Sequence, residues 1–169
     1  MISVVFLSPI IAVQLEKYLE KRREVRVKKI RIFSALMSTR ATPLAPLRIE
    51  ALNLIDIEFY ESSKIREAWK ALLDNYADVP SDKNLPNFQQ KLELHFQKRE
   101  ELNVDLLFEM AKDLGYHYDK VQLKKGCYIP QGHAELELDN AKIRQGFMEI
   151  LSNKKAFPIA IINHNVEHE

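Results

Sequence analysis

The first fifteen residues, MISVVFLSPIIAVQL, carry no charge, and only Ser3, Ser8 and Gln14 interrupt their apolar run. Ser8-Pro9 reads as an N-cap followed by proline at the first helical position, where its missing N–H costs nothing. No breaker follows until Ala41-Thr42-Pro43, so the pattern predicts one long helix ending near Thr39. Its distal part carries Val25, Val27, Ile30, Ile32, Phe33, Leu36 and Met37 and should end packed against a core.

The same periodicity repeats down the chain. A second helix is predicted over Pro46 to Tyr60, apolar around more than half its circumference and therefore central. A third, over Lys64 to Tyr76, has Ile65, Ala68, Trp69, Leu72, Leu73 and Tyr76 in one stripe. Trp69 in that stripe reads as a core anchor. After the exposed loop VPSDKNLP comes a fourth helix, over Asn87 to Leu114 with a kink near Asn103, which Gly115 should close as a left-handed C′ residue.

Tyr116 to Leu138 is the least regular region. Tyr118 to Lys124 can form a short helix or an extended piece, while Gly126 and Pro130 to Gly132 read as turns. A fifth helix is predicted over Asp139 to Ser152, with Ile143, Phe147, Ile150 and Leu151 on one face. The sum is an all-α fold, a helical bundle of about five helices with a long N-terminal helix extending from it. Residues 1–40 form that helix, 41–155 the bundle, and 156–169 an extended or frayed tail.

Composition narrows this little. A chain of 169 residues, 46% hydrophobic and 29% charged, has the make-up of one ordinary folded domain. Four Gly and seven Pro are too few for the turns of an all-β chain. The single Cys127 excludes an intramolecular disulfide framework and a Cys-built zinc site.

Charge changes the picture more. The net charge is only +1, but the stretch from Glu16 to Arg31 holds eight basic and three acidic residues, a local +5 that leaves −4 for the rest. This basic block directly follows the apolar run. As a helix, fifteen residues reach roughly 22 Å, short of a hydrocarbon core of about 30 Å. Three readings follow: a membrane-anchoring helix, spanning or half-inserted; a helix buried in the fold or against sister chains; and a cleaved targeting segment. The contact residues would be Val4, Val5, Phe6, Ile10, Ile11 and Val13, with Lys17, Lys21, Arg22, Arg23, Arg26 and Lys29 against headgroups or an acidic partner.

Catalytic chemistry is largely missing from the sequence. None of His95, His117, His133, His164 and His168 has a Glu three residues before it, so the ligand pairs of di-iron bundles are absent. His164 and His168 stand at i, i+4 in the tail, where they read as frayed rather than as ligands. The four glycines are not spaced as a phosphate loop, and there is no nucleophile elbow. Lys124, Lys125 and His133 could lower the Cys127 thiol pKa, though a partly buried turn residue is the plainer reading. No catalytic residue, metal or cofactor is expected.

Two surface patterns remain. Glu101, Asp105, Glu109 and Asp113 recur every four residues as an acidic ridge, which reads as a solvated face unless Arg22, Arg26 and Lys29 oppose it. The second is a candidate interaction loop of Tyr116, Tyr118, Lys124, Lys125, Tyr128, Gln131 and His133. Such aromatic and cationic residues can stack bases and bind phosphates, or simply pack a connector onto the bundle.

The stretches LSPIIAVQLEKYLEKRRE, IRIFSALMSTRAT, ALNLIDIEFY, DLLFEMAKDLGY and KKGCYIPQGHAELE together resemble an uncharacterised bacterial family. It is a domain of unknown function in which an N-terminal hydrophobic segment precedes a basic stretch and a helical domain. The resemblance spans most of the chain, weakest over 77–100 and after 155. It implies a bacterial or phage source and a membrane-associated N-terminus, but no activity, cofactor or catalytic residue. This chain departs from the pattern in the shortness of its hydrophobic segment, which argues against full spanning.

The expectation is therefore a non-enzymatic, membrane-associated or self-assembling protein, a homo-oligomer at the cytoplasmic face of the inner membrane. A soluble nucleic-acid or nucleotide-binding module is the alternative, and a small accessory protein of a bacterial defence system a weaker one.

Overall fold

The computed structural model describes residues 7–82, 84–126, 128 and 131–157, with residues 7–10, 131, 133, 134 and 137 as backbone only. Among these residues there are seven helices and no strand: α1 (Leu7–Ser38), α2 (Pro46–Asn53), α3 (Ile55–Glu58), α4 (Ser63–Ala77), α5 (Phe88–Asp113), α6 (Lys120–Lys125) and α7 (Gln131–Leu151). The fold is all-α. It divides into two units, residues 1–127 and 128–169.

In the first unit α1 ends at Ser38, close to the expected Thr39. The expected second helix is broken. Leu54 has φ −88° and ψ −7°, and its N–H turns back onto the carbonyl of Ala51, separating α2 from α3. Ile55 and Phe59, beyond the break, are both fully buried. The apolar residues on the other side, Ile49, Ile57 and Tyr60, stay at least half exposed. The buried positions Arg48, Ala51, Leu52, Ile55 and Phe59 keep one helical period through the break, so a single face serves the core.

That core joins Ile32, Phe33 and Leu36 of α1 to Ile65, Trp69 and Leu72 of α4 and to Leu106, Leu107 and Met110 of α5. Trp69 anchors it as expected, its ring 6% exposed and its indole N–H donating to Asp56 Oδ2 at 3.1 Å. Leu73, expected in the same stripe, is 48% exposed and faces away. At 3.6 residues per turn it lies at the edge of the stripe that Ile65, Trp69 and Leu72 fill.

α5 forms one helix through Asn103. It closes as the sequence predicts, with Gly115 at φ +77°. The N–H of Tyr116 reaches the Ala111 carbonyl at 2.8 Å and that of Gly115 the Lys112 carbonyl at 3.1 Å, the paired bonds of a Schellman stop. α6 resolves the open choice at Tyr118 to Lys124 in favour of a helix. Asp119 Oδ1 accepts the Gln122 N–H at 2.7 Å while Gln122 Oε1 accepts the Asp119 N–H at 3.1 Å, a capping box that satisfies two first-turn donors.

Three arginines collect carbonyls at helix ends. Arg26 Nη2 donates to the Leu114 oxygen at 2.9 Å, at the end of α5. Arg40 donates to Met37 at the end of α1 and to Leu123 and Gly126 at the end of α6. Arg48, only 3% exposed, gives one N–H to the Leu36 carbonyl and another to the side-chain oxygen of Asn103. Carbonyls at a helix C-terminus carry partial negative charge, so each cation sits where the helix dipole favours it.

In the second unit, α7 begins at Gln131, eight residues before the expected Asp139. Gly132 is therefore helical, and Gln131 and His133 lie in a helix rather than a loop. The helix formers Ala134, Glu135, Leu136, Glu137 and Leu138 outweigh the single glycine. Asn153, at φ +57°, follows the helix end. Residues 156–157 are without regular structure, and the rest of the expected tail lies outside the described residues.

Candidate functional site

Every residue from 11 to 28 of α1 is exposed, and burial begins only at Lys29. At 1.5 Å per residue, this uncovered part extends for roughly 27 Å. Its side chains are not evenly arranged. Ile11, Leu15, Tyr18, Arg22 and Val25 recur at alternating steps of four and three, and so share one face. The same steps continue through Lys29 to Ile32 and Leu36, which are in the core. One stripe of α1 is thus core at its distal end and bare along the rest.

Glu16, Glu20 and Glu24 step along the opposite side of α1. The apolar face is accordingly bordered by cations and kept clear of carboxylates. Arg22 lies over the Tyr18 ring at 4.8 Å from its centre, which holds the guanidinium on the apolar face. Ile11 is 62% and Val13 47% exposed. Ile10 lies on the helix as backbone only, and Val4, Val5 and Phe6 lie outside the described residues.

The structure divides the six candidate cations in two. Lys29 is held by Asp113, Nζ to Oδ2 at 2.8 Å, and sits 5.0 Å above the Phe59 ring. Arg26 is spent on the Leu114 carbonyl. Lys17, Lys21, Arg22 and Arg23 have no acidic partner among the described residues. The boundary between bound and free cations falls where α1 leaves the body.

Each member of the acidic ridge is neutralised within the chain. Glu101 pairs with Lys98 at 3.8 Å, Asp105 with Lys120 at 2.7 Å, Glu109 with Lys112 at 3.2 Å, and Asp113 with Lys29. Of the expected basic row, only Lys29 reaches the ridge. Asp105 and, more distantly, Glu109 hold the Lys120 ammonium above its ordinary pKa, first through the hydrogen bond and then through charge.

The candidate interaction loop is divided between the units. Tyr116 stacks on Phe33 with ring centres 5.6 Å apart, and Tyr118 lies 6.3 Å from the same ring. Both tyrosines therefore cover the core, though each stays 38% exposed. Lys124 pairs with Glu100 at 3.3 Å. Lys125 is exposed beside them. Tyr128, 87% exposed, and the helical Gln131 and His133 belong to the second unit.

One feature escaped the sequence reading. A cleft of about 210 Å³ lies between α1 and the α2–α3 pair, floored by Ile32, Ala35 and Ala51. Lys28 and Arg31 stand on its α1 wall, Glu50 and Glu58 on the other. Glu50 and Glu58 share that wall with Leu54 at steps of four residues, a spacing that helical periodicity alone places on one face. Among the described residues, no group of three His, Cys, Asp or Glu side chains is placed to hold a metal ion. No helix among them is long and apolar enough to cross a membrane.

The chain belongs to a family of unknown function (DUF6680), which matches it over residues 1–169. No curated protein and no solved structure matches it.

Proposed function

We propose that this protein binds anionic membrane surfaces, using the projecting part of α1 as an interfacial anchor that carries the helical body. The observation behind the reading is the bare stripe Ile11–Leu15–Tyr18–Arg22–Val25, with free cations beside it and the acidic row turned away. A lone helix of this length is marginal in water, because tertiary packing supplies most helical stability. Something must cover it, and the arrangement suits a helix lying in the interface rather than crossing it.

The energies favour this. Lys17, Lys21, Arg22 and Arg23 contribute about 1 kcal/mol each near an anionic leaflet, roughly 4 kcal/mol together. Burying Ile11, Leu15 and Leu19 adds roughly 5–9 kcal/mol before the cost of association. Without lipid, the same face would meet itself in other copies, which makes self-assembly the detergent-free counterpart of anchoring. Nucleic-acid binding has less support, since Lys120 and Lys124 are paired with Asp105 and Glu100 and two of the loop tyrosines cover Phe33.

Flotation of the full chain with phosphatidylglycerol vesicles tests the reading. Recovery with the vesicles at low salt, declining as salt screens the cations, supports it. Recovery wholly in the soluble fraction at low salt overturns it.

A further inference from the structure

We propose that the cleft between α1 and the α2–α3 pair is the contact surface for a second copy of the same chain, related by a two-fold axis. The rim charges carry the argument. Lys28 and Arg31 line one wall, while Glu50 and Glu58 line the other. Lys28 and Glu58 already meet across it at 3.8 Å. Arg31 and Glu50 are exposed, and neither has an ion partner among the described residues.

A rim with two charges of each sign gives an anionic lipid or a nucleic acid no net attraction. The cleft's volume is also below the roughly 300–1,000 Å³ of ordinary small-molecule sites. A second copy turned about a two-fold axis in the cleft sets each basic wall against the other's acidic wall, so one surface answers itself. Two Arg31–Glu50 pairs then form per dimer. Leu47, 48% exposed on the cleft, and the neighbouring Leu44, 86% exposed, supply the apolar contact between them. This surface lies apart from the stripe assigned to lipid, so the two proposals stand independently.

Sedimentation equilibrium of the full chain, in a detergent matched to the solvent density, decides the matter through charge reversal. The wild type sediments as two copies. Arg31→Glu alone and Glu50→Arg alone each weaken association at least about tenfold, because both rim contacts become like-charged. Mixing the two variants restores a dimer, since every contact between unlike copies is again of opposite sign. Both positions are exposed, so neither reversal threatens the fold, and rescue by mixing has no explanation within one chain. A single-copy wild type, dimers that survive either reversal, or a mixture that stays monomeric overturns the proposal. Flotation of Arg31→Glu reports on the lipid reading separately: loss of dimer with flotation kept is the expected result.

Discussion

The guanidinium of Arg40 donates to the carbonyl oxygen of Leu123 at 2.8 Å, tying the end of α1 to the end of α6. It also reaches Gly126 at 2.8 Å and Met37 at 2.9 Å, so one planar fork holds two helix ends together. The chain between Arg40 and Leu123 forms most of the first unit, and this contact closes it.

Arg40→Ala should therefore loosen α6 in particular. The expected loss is about 2 kcal/mol in urea unfolding, with faster amide exchange across Lys120–Lys125. Arg40→Lys should recover less than half of it, because a point-like ammonium cannot span the same carbonyls. Unchanged exchange in α6 would refute the closing role.

Arg48 poses the opposite problem, a buried cation without a carboxylate. Its Nε has no hydrogen-bond partner, and its other bonds go to the Leu36 carbonyl and the Asn103 side chain. Asn103→Ala should cost about 2–3 kcal/mol by leaving a second nitrogen of a charged group without a partner. Asn103→Asp, which supplies a counter-charge, should be markedly less harmful. Thermal unfolding of both variants checks the order, and a neutral alanine variant contradicts it.

The two glycines that end helices separate conformational from steric strain. A Cβ on Gly115 meets nothing within 4 Å, so Gly115→Ala should cost only the left-handed backbone penalty, about 1 kcal/mol. A Cβ on Gly126 would stand 2.5 Å from the Gln122 carbonyl oxygen, so Gly126→Ala should cost more, although its backbone angles are ordinary. Chemical denaturation of the pair gives the ranking directly.

Lys120 should titrate later than an ordinary lysine. Its ammonium is favoured by Asp105, so its folded-state pKa lies above the ordinary 10.5. Any stability it contributes is present below that ordinary value and is lost as the pH climbs through the raised one. Carbon chemical shifts at its ε-position, followed through alkaline pH, should show a late midpoint that Asp105→Asn moves earlier.

How much of this was legible in the sequence varies with the kind of signal. Gly115 and the stripe Ile65–Trp69–Leu72 could be read because their physics is local, a left-handed stop and a 3.6-residue period. The break at Leu54 could not, since Leu54 is no breaker and the buried positions keep one helical period straight through it. The early start of α7 was hidden by Gly132, which suggests a turn in isolation. For the candidate site, the apolar run and basic block were visible. Which cations are free was not, because Arg26 and Lys29 are claimed by Leu114 and Asp113, 84 to 88 residues away.

Tryptophan emission from the bare stripe of α1 reports whether that stripe meets lipid. Ile11→Trp places a reporter on that stripe, while the native Trp69 stays 6% exposed and is subtracted using the wild type. On phosphatidylglycerol vesicles with brominated acyl chains, the difference emission should shift blue and be quenched, and raised salt should reverse both changes. On uncharged phosphatidylcholine vesicles the effect should be much weaker. An emission at residue 11 that stays solvent-like and unquenched on the anionic vesicles at low salt would contradict the account.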